Sequence, residues 1–260
     1  EANRKPSDYA RALLKIVTDE RITHDIPVNE EVFFLSAADQ FFPPSAQLFV
    51  DSPELLLRLH DKGIFNQTAR ELGLSVPGSS RAHSRTELDA FIRARNESKQ
   101  PFVIKPAFSR FSTQVIFSSA NNFENQLKKI HVSEAEPWIV QDQILGTEVC
   151  SYSVCEKGAV LAHVTYSRSF TAGAGAAVSF AAMESPEILK WVESFSAANQ
   201  ITGQIAFDFI LEDRSGTPFA LECNPRATSG IHLFSGNFKK LTDAFLSPLL
   251  GSPIAIPKEG

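Results

Sequence analysis

The chain has 260 residues, of which 43% are hydrophobic, so it is long enough to bury one large core or two small ones. Its formal net charge of -5 at pH 7 argues against a general nucleic-acid surface, which needs an excess of basic residues. Three irregularly spaced cysteines argue against a disulfide framework, and no apolar stretch is long enough to cross a membrane, so we expect a globular, cytoplasmic protein that binds neither nucleic acid nor membrane.

Residues 1–60 are predicted to be the remnant of an N-terminal α/β domain. A helix capped by Ser7 and short buried pieces at 26–28 and 32–35 are the elements that we expect there. So short a segment with so few strands would make a poor independent domain. We therefore expect a larger N-terminal domain in the intact protein.

Residues 61–143 are predicted to form a compact α+β lobe. Asp61 is expected to cap a helix with Phe65, Ala69 and Leu72 on one face. The further expected elements are a helix near 87–95, strands at 102–105, 114–117 and 138–141, and a helix that begins with a capping box of Asn121 and Glu124.

Residues 144–260 are predicted to form a second lobe. Ser185 is expected to cap a helix that has Pro186 at its first position. The other expected elements are strands near 148–154 and 159–165 and a glycine- and alanine-rich loop at 172–177.

The segment 203–226 is predicted to be a hairpin with carboxylates on one face. Its two apolar runs flank a turn signal at 213–216, and the midpoint between Asp208 and Glu222 falls at Ser215, so these two residues should face each other. Alternation sends one set to the core (Ile205, Phe207, Phe209, Leu211, Phe219, Leu221 and Cys223) and the other set to the opposite face (Ala206, Asp208, Ala220, Glu222 and Asn224).

This hairpin face predicts a metal site. Two opposed carboxylates repel each other unless a cation, a proton or a basic group lies between them. Mg²⁺ prefers oxygen ligands and usually binds through one or two carboxylates plus substrate phosphates. We therefore predict that Asp208, Glu222 and Asn224 bind magnesium. The alternative is a solvated polar face.

Two lysines lie in contexts that suit phosphate binding. Lys105 ends an apolar strand just before Pro106, where its charge can meet phosphate oxygens. Lys62 lies at the start of a helix, with an ordinary surface lysine as the alternative. The loop 107–113 is rich in hydroxyls and contains Arg110, so it is either a cover for phosphates or an ordinary hairpin loop.

The order of these elements resembles the ATP-grasp superfamily, in its carboxylate–amine ligase branch, which includes carbamoyl-phosphate synthetase and D-alanine–D-alanine ligase. The segments that carry the resemblance span roughly 61–234 and are HDKGIFNQTARELGLSVP, PFVIKPAFSRFST, WIVQDQILGTEVCSYSV and GQIAFDFI…ALECNPRATSGIHLF. The resemblance, nearest to the carbamoyl-phosphate synthetase large subunit, implies an α+β ATP-grasp fold with the nucleotide between two α/β lobes.

The resemblance also implies the ligands and the role of each site residue. The cofactors would be ATP and Mg²⁺, with Mn²⁺ as a substitute. Lys62 and Lys105 would hold the phosphates, Glu148 would bind the ribose hydroxyls, and Arg226 would stabilise the transferred phosphate or acyl phosphate. Two further sets are the linker against the adenine (Gln141, Asp142, Gln143 and Ile144) and the loop over the γ-phosphate (Ser109, Arg110, Ser112 and Thr113).

The chain departs from the family pattern in two places. The loop after Lys105 has no glycine, and Ala206 and Phe207 stand where some ligases carry an arginine. Further candidates for substrate contact are Arg168, His163, Arg226 and His232, although both histidines also fit hydrogen-bonded interior positions.

The expected function is an ADP-forming ligase that activates a small-molecule carboxylate as an acyl phosphate for attack by an amine, and a homo-oligomer is compatible with the sequence. The alternatives are a catalytically weak nucleotide-binding or regulatory module and an ATP-grasp kinase.

Overall fold

A computed structural model describes residues 6–108, 114–172, 176–246 and 254–257. No helix within these ranges is long and apolar enough to cross a membrane. The helices are α1 (Pro6–Asp19), α2 (Glu31–Ala38), α3 (Pro53–His60), α4 (Lys62–Glu71), α5 (Arg85–Glu97), α6 (Phe123–Leu127), α7 (Pro186–Asn199) and α8 (Phe238–Leu246), with 3₁₀ helices at Asp39–Phe41 and Ser229–Gly236. The strands are β1 (His24–Asp25), β2 (Gln47–Leu48), β3 (Ser79–Ala82), β4 (Phe102–Pro106), β5 (Ile116–Phe117), β6 (Trp138–Asp142), β7 (Gly146–Glu156), β8 (Ala159–Ala172), β9 (Ala176–Met183), β10 (Gly203–Glu212) and β11 (Pro218–Asn224).

The smaller lobe is built on a four-stranded antiparallel sheet in the order β3-β6-β4-β5. Helix α5 covers one face and packs Leu88 and Ile92 against Phe102, Ile104 and Val140. Burial of these side chains stabilises the lobe by roughly 1.5–3 kcal/mol each. The predicted strands near 102–105 and 138–141 and the helix near 87–95 are confirmed.

One local prediction in this lobe is wrong. Helix α6 begins after Asn122, whose side chain makes no capping hydrogen bond because its oxygen accepts from the side chain of Gln126 instead. The capping box of Asn121 and Glu124 is therefore not formed. Leu72, predicted on the same helix face as Phe65 and Ala69, is 42% exposed and lies just beyond the last residue of α4.

The larger lobe is a five-stranded antiparallel sheet in the order β11-β10-β7-β8-β9, covered on one face by α7. Ser185 caps α7 as predicted, by accepting a hydrogen bond from Ile188 N. Trp191 stacks on Phe195 with ring centroids 5.2 Å apart and meets Phe207 edge-on at 5.1 Å. Such aromatic pairs contribute roughly 0.5–1.5 kcal/mol beyond the area they bury.

The predicted loop at 172–177 is wrong at both ends. Strand β8 continues to Ala172, and Ala176 already belongs to β9, which pairs with β8 from Thr165 opposite Met183 to Ala172 opposite Ala176. Alanine and glycine are poor strand formers, which is why this composition indicated a loop. A ladder of backbone hydrogen bonds does not depend on the side chains, so an adjacent strand overrides that preference.

The N-terminal segment packs against the larger lobe through hydrogen bonds to buried polar groups. β1 and β2 form a short parallel pair, and residues 32–35, predicted as a short buried piece, belong to α2. Gln204 Nε2 donates to Pro27 O at 2.7 Å, and Thr202 N donates to Asp51 Oδ1 at 3.0 Å. That this segment is the remnant of a larger domain stays a prediction.

Gly146 is required where β7 starts beside β10. A Cβ atom at this position would lie 1.9 Å from Leu211 O, which is a backbone atom and cannot move aside cheaply. We expect Gly146→Ala to lower the free energy of unfolding by about 1–3 kcal/mol, measured by urea denaturation. Gly236→Ala is the control, since nothing lies within 4 Å of the added atom there. An equal effect of the two substitutions would contradict the packing argument.

Candidate active site

The hairpin of β10 and β11 brings two carboxylates face to face. Asp208 pairs directly with Glu222 in the antiparallel register, as predicted. Gly216 closes the turn with a φ of 68° and donates from its N to Glu212 O at 2.8 Å. Such a hairpin turn needs a residue in the left-handed region of backbone conformation, and glycine adopts that conformation without steric cost.

A β-bulge overturns the predicted alternation beyond this pair. The register shifts between Asp208 and Phe209, so that Phe209 lies opposite Ala220. Ala220 is consequently buried in the hydrophobic cluster with Phe209, whereas Leu221 lines the cleft beside Glu222. An extra residue in one strand reverses the side-chain direction of the residues beyond it, which strict alternation does not anticipate.

The pKa values of the two carboxyl groups are shifted in opposite directions. Burial, and then the negative charge of Glu222, raise the pKa of Asp208 to about 7. Burial alone would also raise the pKa of Glu222, but the charge of Lys62, a hydrogen bond from Asp208 and the charge of Lys105 lower it. Cys150 Sγ donates to Asp208 Oδ1 at 3.1 Å. Asp208 is thus the carboxyl that more readily holds a proton, and Glu222 is the one that stays ionised beside Lys62.

Both predicted lysines reach this pair. Lys62 Nζ lies 3.1 Å from Glu222 Oε2, and Lys105 Nζ donates to Leu221 O at 3.3 Å. Each lysine is only 5% exposed. Burial lowers the pKa of Lys105 to about 8, partly offset by Glu222. Two buried cations next to partly buried carboxylates form a charged site that packing alone would not favour.

Asp61 fixes the position of Lys62. Its Oδ1 caps α4 by accepting from Gly63 N at 2.8 Å and Ile64 N at 3.0 Å, and its Oδ2 accepts from Arg81 Nη2 at 2.7 Å. The backbone N of Lys62 donates to Ala107 O at 3.2 Å, just past the end of β4. The start of α4 is thereby tied to the strand that carries Lys105.

This anchoring leads to a stability prediction. Asp61→Ala is expected to lower the free energy of unfolding by about 3 kcal/mol, because the cap is lost and the partly buried Arg81 loses its counter-charge. Asp61→Asn keeps a capping oxygen and should cost less, about 1–2 kcal/mol. Urea denaturation of both variants measures the difference. A loss no larger for alanine than for asparagine would show that the cap contributes nothing.

The carboxylates and lysines line one side of a cleft of about 450 Å³ between the two sheets. The linker after β6 also lines this cleft. Asp142 N donates to Gly78 O at 2.8 Å and Gln143 N to Pro101 O at 2.9 Å, while the Asp142 side chain is paired with Arg95. The cleft is lined by Lys62, Val103, Lys105, Val115, Phe117, Gln141, Asp142, Gln143, Ile144, Leu145, Gly146, Glu148, Arg168, Asp208, Phe209, Ile210, Leu221 and Glu222.

Glu148 and Arg168 form an ion pair at the edge of this cleft. The Glu148 side chain is 60% exposed, whereas Arg168 Nε is buried and has no hydrogen-bond partner among the described residues. The pairing follows from the register of β7 and β8, which places Val149 opposite Ser167. Both residues line the cleft.

Asn224 and Arg226 lie beside the cleft and are not among the residues that line it. Arg226 Nη2 donates to Asn224 Oδ1 at 3.2 Å, and Arg226 Nη1 donates to Ala227 O at 3.1 Å. The third bond runs from Arg226 Nε to Glu30 Oε1, at 3.1 Å. Sequence reasoning missed Glu30, because no local pattern connects it with a residue so distant in the chain.

Two other predicted site residues, His163 and His232, do not line the cleft. His163 is an interior residue, held between Ser153 Oγ at 2.9 Å and Thr165 Oγ1 at 3.0 Å, and burial lowers its pKa to about 4. The interior alternative is therefore correct for it. His232 is exposed and is not among the cleft residues. Ser109, Arg110, Ser112 and Thr113 lie outside the described residues.

The site residues fit a magnesium–nucleotide ligand. The pair Asp208 and Glu222 supplies the oxygen ligands that Mg²⁺ prefers, and a bound cation would offset the repulsion by Glu222 that raises the pKa of Asp208. The described residues contain no group of three or more His, Cys, Asp or Glu side chains able to hold a metal. Substrate phosphates would thus have to complete the coordination, and the cleft volume lies in the range of small-molecule sites.

Comparison with known proteins identifies the family of the chain. Residues 59–230, more than half of the chain, match the family model of the ATP-grasp domain. No curated protein matches the chain in sequence.

Solved structures share the fold at low sequence identity. Phosphoribosylamine–glycine ligase from Thermotoga maritima is 17% identical, with a TM-score of 0.65 over 85% of this chain and 62% of that one. The biotin carboxylase domain of the 2-oxoglutarate carboxylase from Hydrogenobacter thermophilus, in complex with MgADP, ADP and bicarbonate, is 13% identical, with a TM-score of 0.69 over 94% and 58%. The L-amino acid ligase from Bacillus licheniformis is 16% identical, with a TM-score of 0.66 over 96% and 66%. The chain spans less than two thirds of the length of the first two.

Proposed function

Because the chain belongs to the ATP-grasp family, we propose that it is an ATP-dependent carboxylate–amine ligase that activates a carboxylate as an acyl phosphate. One observation carries the proposal: two buried lysines converge on an opposed pair of partly buried carboxylates in a cleft between two lobes. Such a site concentrates charge where a polyphosphate and a cation would bind.

Each residue of the cleft has a proposed task in holding ATP. Lys62 and Lys105 bind the phosphates, since both ammonium groups lie within reach of the Asp208–Glu222 pair. The linker 141–144 lies against the adenine, and its contacts are made through backbone groups, because the Asp142 side chain is already paired. Glu148 binds the ribose hydroxyls once it leaves Arg168.

The Asp208–Glu222 pair, with Asn224, is the proposed magnesium site, and Mn²⁺ suits the same oxygen donors. Bound there, the metal supplies positive charge to the phosphate oxygens as negative charge builds on them. Lys62 neutralises Glu222 on one side, and the Cys150 thiol orients Asp208 on the other.

The proposed reaction has two steps. A carboxylate oxygen of the substrate attacks the γ-phosphorus of ATP, and ADP leaves. The amine then attacks the carbonyl carbon of the acyl phosphate, and phosphate leaves. Arg226, held in place by Glu30 and Asn224, stabilises the negative charge of the transferred group. Holding both reactants in the cleft supplies much of the rate enhancement.

The test is release of phosphate from ATP with Mg²⁺ and the intact polypeptide, across pools of amino acids and other carboxylates, with and without amines. The proposal predicts release of ADP and phosphate only when both a carboxylate and an amine are present. ADP with a phosphorylated product and no free phosphate would identify a kinase. No turnover in any pool, together with measurable ATP binding, would identify a binding or regulatory module.

A further inference from the structure

Arg168 is the third cationic residue among the described residues that line the cleft, and it lies across the sheet from the two lysines. Lys62 and Lys105 both contact β11, through Glu222 Oε2 and Leu221 O. Arg168 lies on β8, and the strands β10 and β7 separate β8 from β11 in the sheet. A cation on that side of the cleft binds a different anionic group from the one that the lysines hold.

The register of the sheet gives the separation between Arg168 and the carboxylate pair. Asp208 pairs with Cys150 on β7, and Cys150 pairs with Tyr166 on β8. Arg168 follows Tyr166 by two positions, so both side chains point to the same face of the sheet. Two strand spacings and two residue rises place the Cα atoms of Asp208 and Arg168 roughly 12 Å apart. This distance leaves room for a small anion between the guanidinium and a metal ion bound at Asp208.

The guanidinium of Arg168 is paired on one side only. Its Nη2 donates to Glu148, whereas its Nε is buried and has no hydrogen-bond partner among the described residues. Buried donors are normally paired. A carboxylate can accept two parallel hydrogen bonds from one guanidinium and still keep lone pairs free. A carboxylate ligand in the cleft would therefore satisfy Arg168 better than Glu148 does.

The ion pair between Glu148 and Arg168 is weak enough for a ligand to break. The Glu148 side chain is 60% exposed, and ion pairs in contact with solvent contribute little to stability. Glu148 is also the residue proposed to bind the ribose hydroxyls of ATP. The ribose and Arg168 thus compete for one carboxylate, and binding of the nucleotide releases Arg168.

We propose that Arg168 binds the carboxylate of the substrate, and that Glu148 withholds Arg168 until the ribose of ATP replaces it. The guanidinium offsets the repulsion between the carboxylate and the triphosphate and leaves an oxygen lone pair free to attack the γ-phosphorus. Bound nucleotide consequently raises the affinity for the carboxylate. This inference rests on the proposed ligase function and concerns how its first substrate is recognised.

The first experiment uses the wild-type protein and changes only the ribose. The KM of the carboxylate that the pools identify is measured by phosphate release, with saturating ATP and with saturating 2′,3′-dideoxy-ATP, which lacks both ribose hydroxyls. Without these hydroxyls Glu148 stays with Arg168, so the KM of the carboxylate should be about fivefold higher, as expected for a weak ion pair. In Glu148→Gln, which cannot hold Arg168 by charge, the two nucleotides should give the same KM.

The second experiment changes Arg168 itself. Arg168→Gln should raise the KM of the carboxylate about 10–10²-fold, because a charge-assisted pair of hydrogen bonds is lost. The KM of ATP should stay the same or fall, because Glu148 is then free for the ribose. A merely structural residue would raise both values. Arg168→Lys keeps the charge without the paired geometry and should lie between the two, and Arg93→Gln, at an exposed position of α5, should change neither KM.

The outcomes separate the role of Arg168 from the ligase function. A higher KM of ATP in Arg168→Gln, or an unchanged KM of the carboxylate, would overturn the role of Arg168 and leave the ligase function standing. Equal KM values of the carboxylate with the two nucleotides in the wild type would overturn the control by Glu148. Absence of carboxylate-dependent phosphate release with the wild-type protein would overturn the ligase function, and the role of Arg168 with it.

Discussion

Replacing Glu222 by glutamine is expected to reduce magnesium-dependent phosphate release from ATP by at least about 10²–10³-fold. Glutamine keeps the size and one oxygen but removes the charge that faces Asp208 across the hairpin and pairs with Lys62 at 3.1 Å. The proposed metal site then has one ionised carboxylate in place of two. A coupled phosphate assay with the intact polypeptide measures the effect.

The control for this substitution is Glu193→Gln, on the exposed side of α7. It makes the same chemical change far from the cleft and should leave phosphate release unchanged. Full activity of Glu222→Gln at low magnesium would contradict the assignment of this hairpin as the metal site. Circular dichroism of both variants checks that the fold is retained.

Replacing Lys105 by methionine is expected to separate stability from activity. Lys105 is buried and its pKa is lowered, first of all by burial, so the folded protein gains little from its charge. Methionine has a similar length and no charge to desolvate, so the free energy of unfolding should stay the same or rise. Phosphate release should fall by about 10²–10³-fold, because a cation that faces the transferred phosphate is lost.

Lys128→Met, at an exposed position after α6, is the matched control and should change neither quantity. Thermal unfolding and the phosphate assay, carried out on the same preparations, give both quantities. A strong destabilisation by Lys105→Met would mean that this lysine serves the fold rather than the nucleotide.

The parts of the fold that local rules govern were predictable from the sequence. The pairing of Asp208 with Glu222 follows from the period of a strand and the position of the turn. Asp61 and Ser185 cap their helices as their residue types indicate. Both cases depend on residues only a few positions apart, or on one turn.

Other features depend on partners that are distant in the chain. The bulge that turns Leu221 toward the cleft depends on how β11 fits against β10, and strand β9 exists because β8 offers it an edge. The bond from Arg226 to Glu30 joins the larger lobe to the N-terminal segment, and the ring contacts of His60 come from two separate elements. No periodicity or motif in one segment encodes such contacts.

The candidate site also combines features that local sequence predicts with features that depend on distant contacts. The chemical types of Lys62, Lys105, Asp208 and Glu222 indicate phosphate and metal binding without any knowledge of their geometry. Their convergence depends on contacts between distant segments, such as the backbone hydrogen bond from Lys62 N to Ala107 O, which ties α4 to the end of β4. The ion pair between Glu148 and Arg168 was not predicted, because the sequence suggests a separate ligand for each of the two residues.

The most direct test of the proposed chemistry traces the oxygen atoms of the substrate. The carboxylate that the pools identify is labelled with oxygen-18 in its carboxyl group and incubated with ATP, Mg²⁺, the amine and the intact polypeptide. Activation as an acyl phosphate predicts that the released phosphate carries one labelled oxygen from the carboxylate. Release of unlabelled phosphate together with amide product would contradict the account, because the phosphate would then never have been bonded to the substrate.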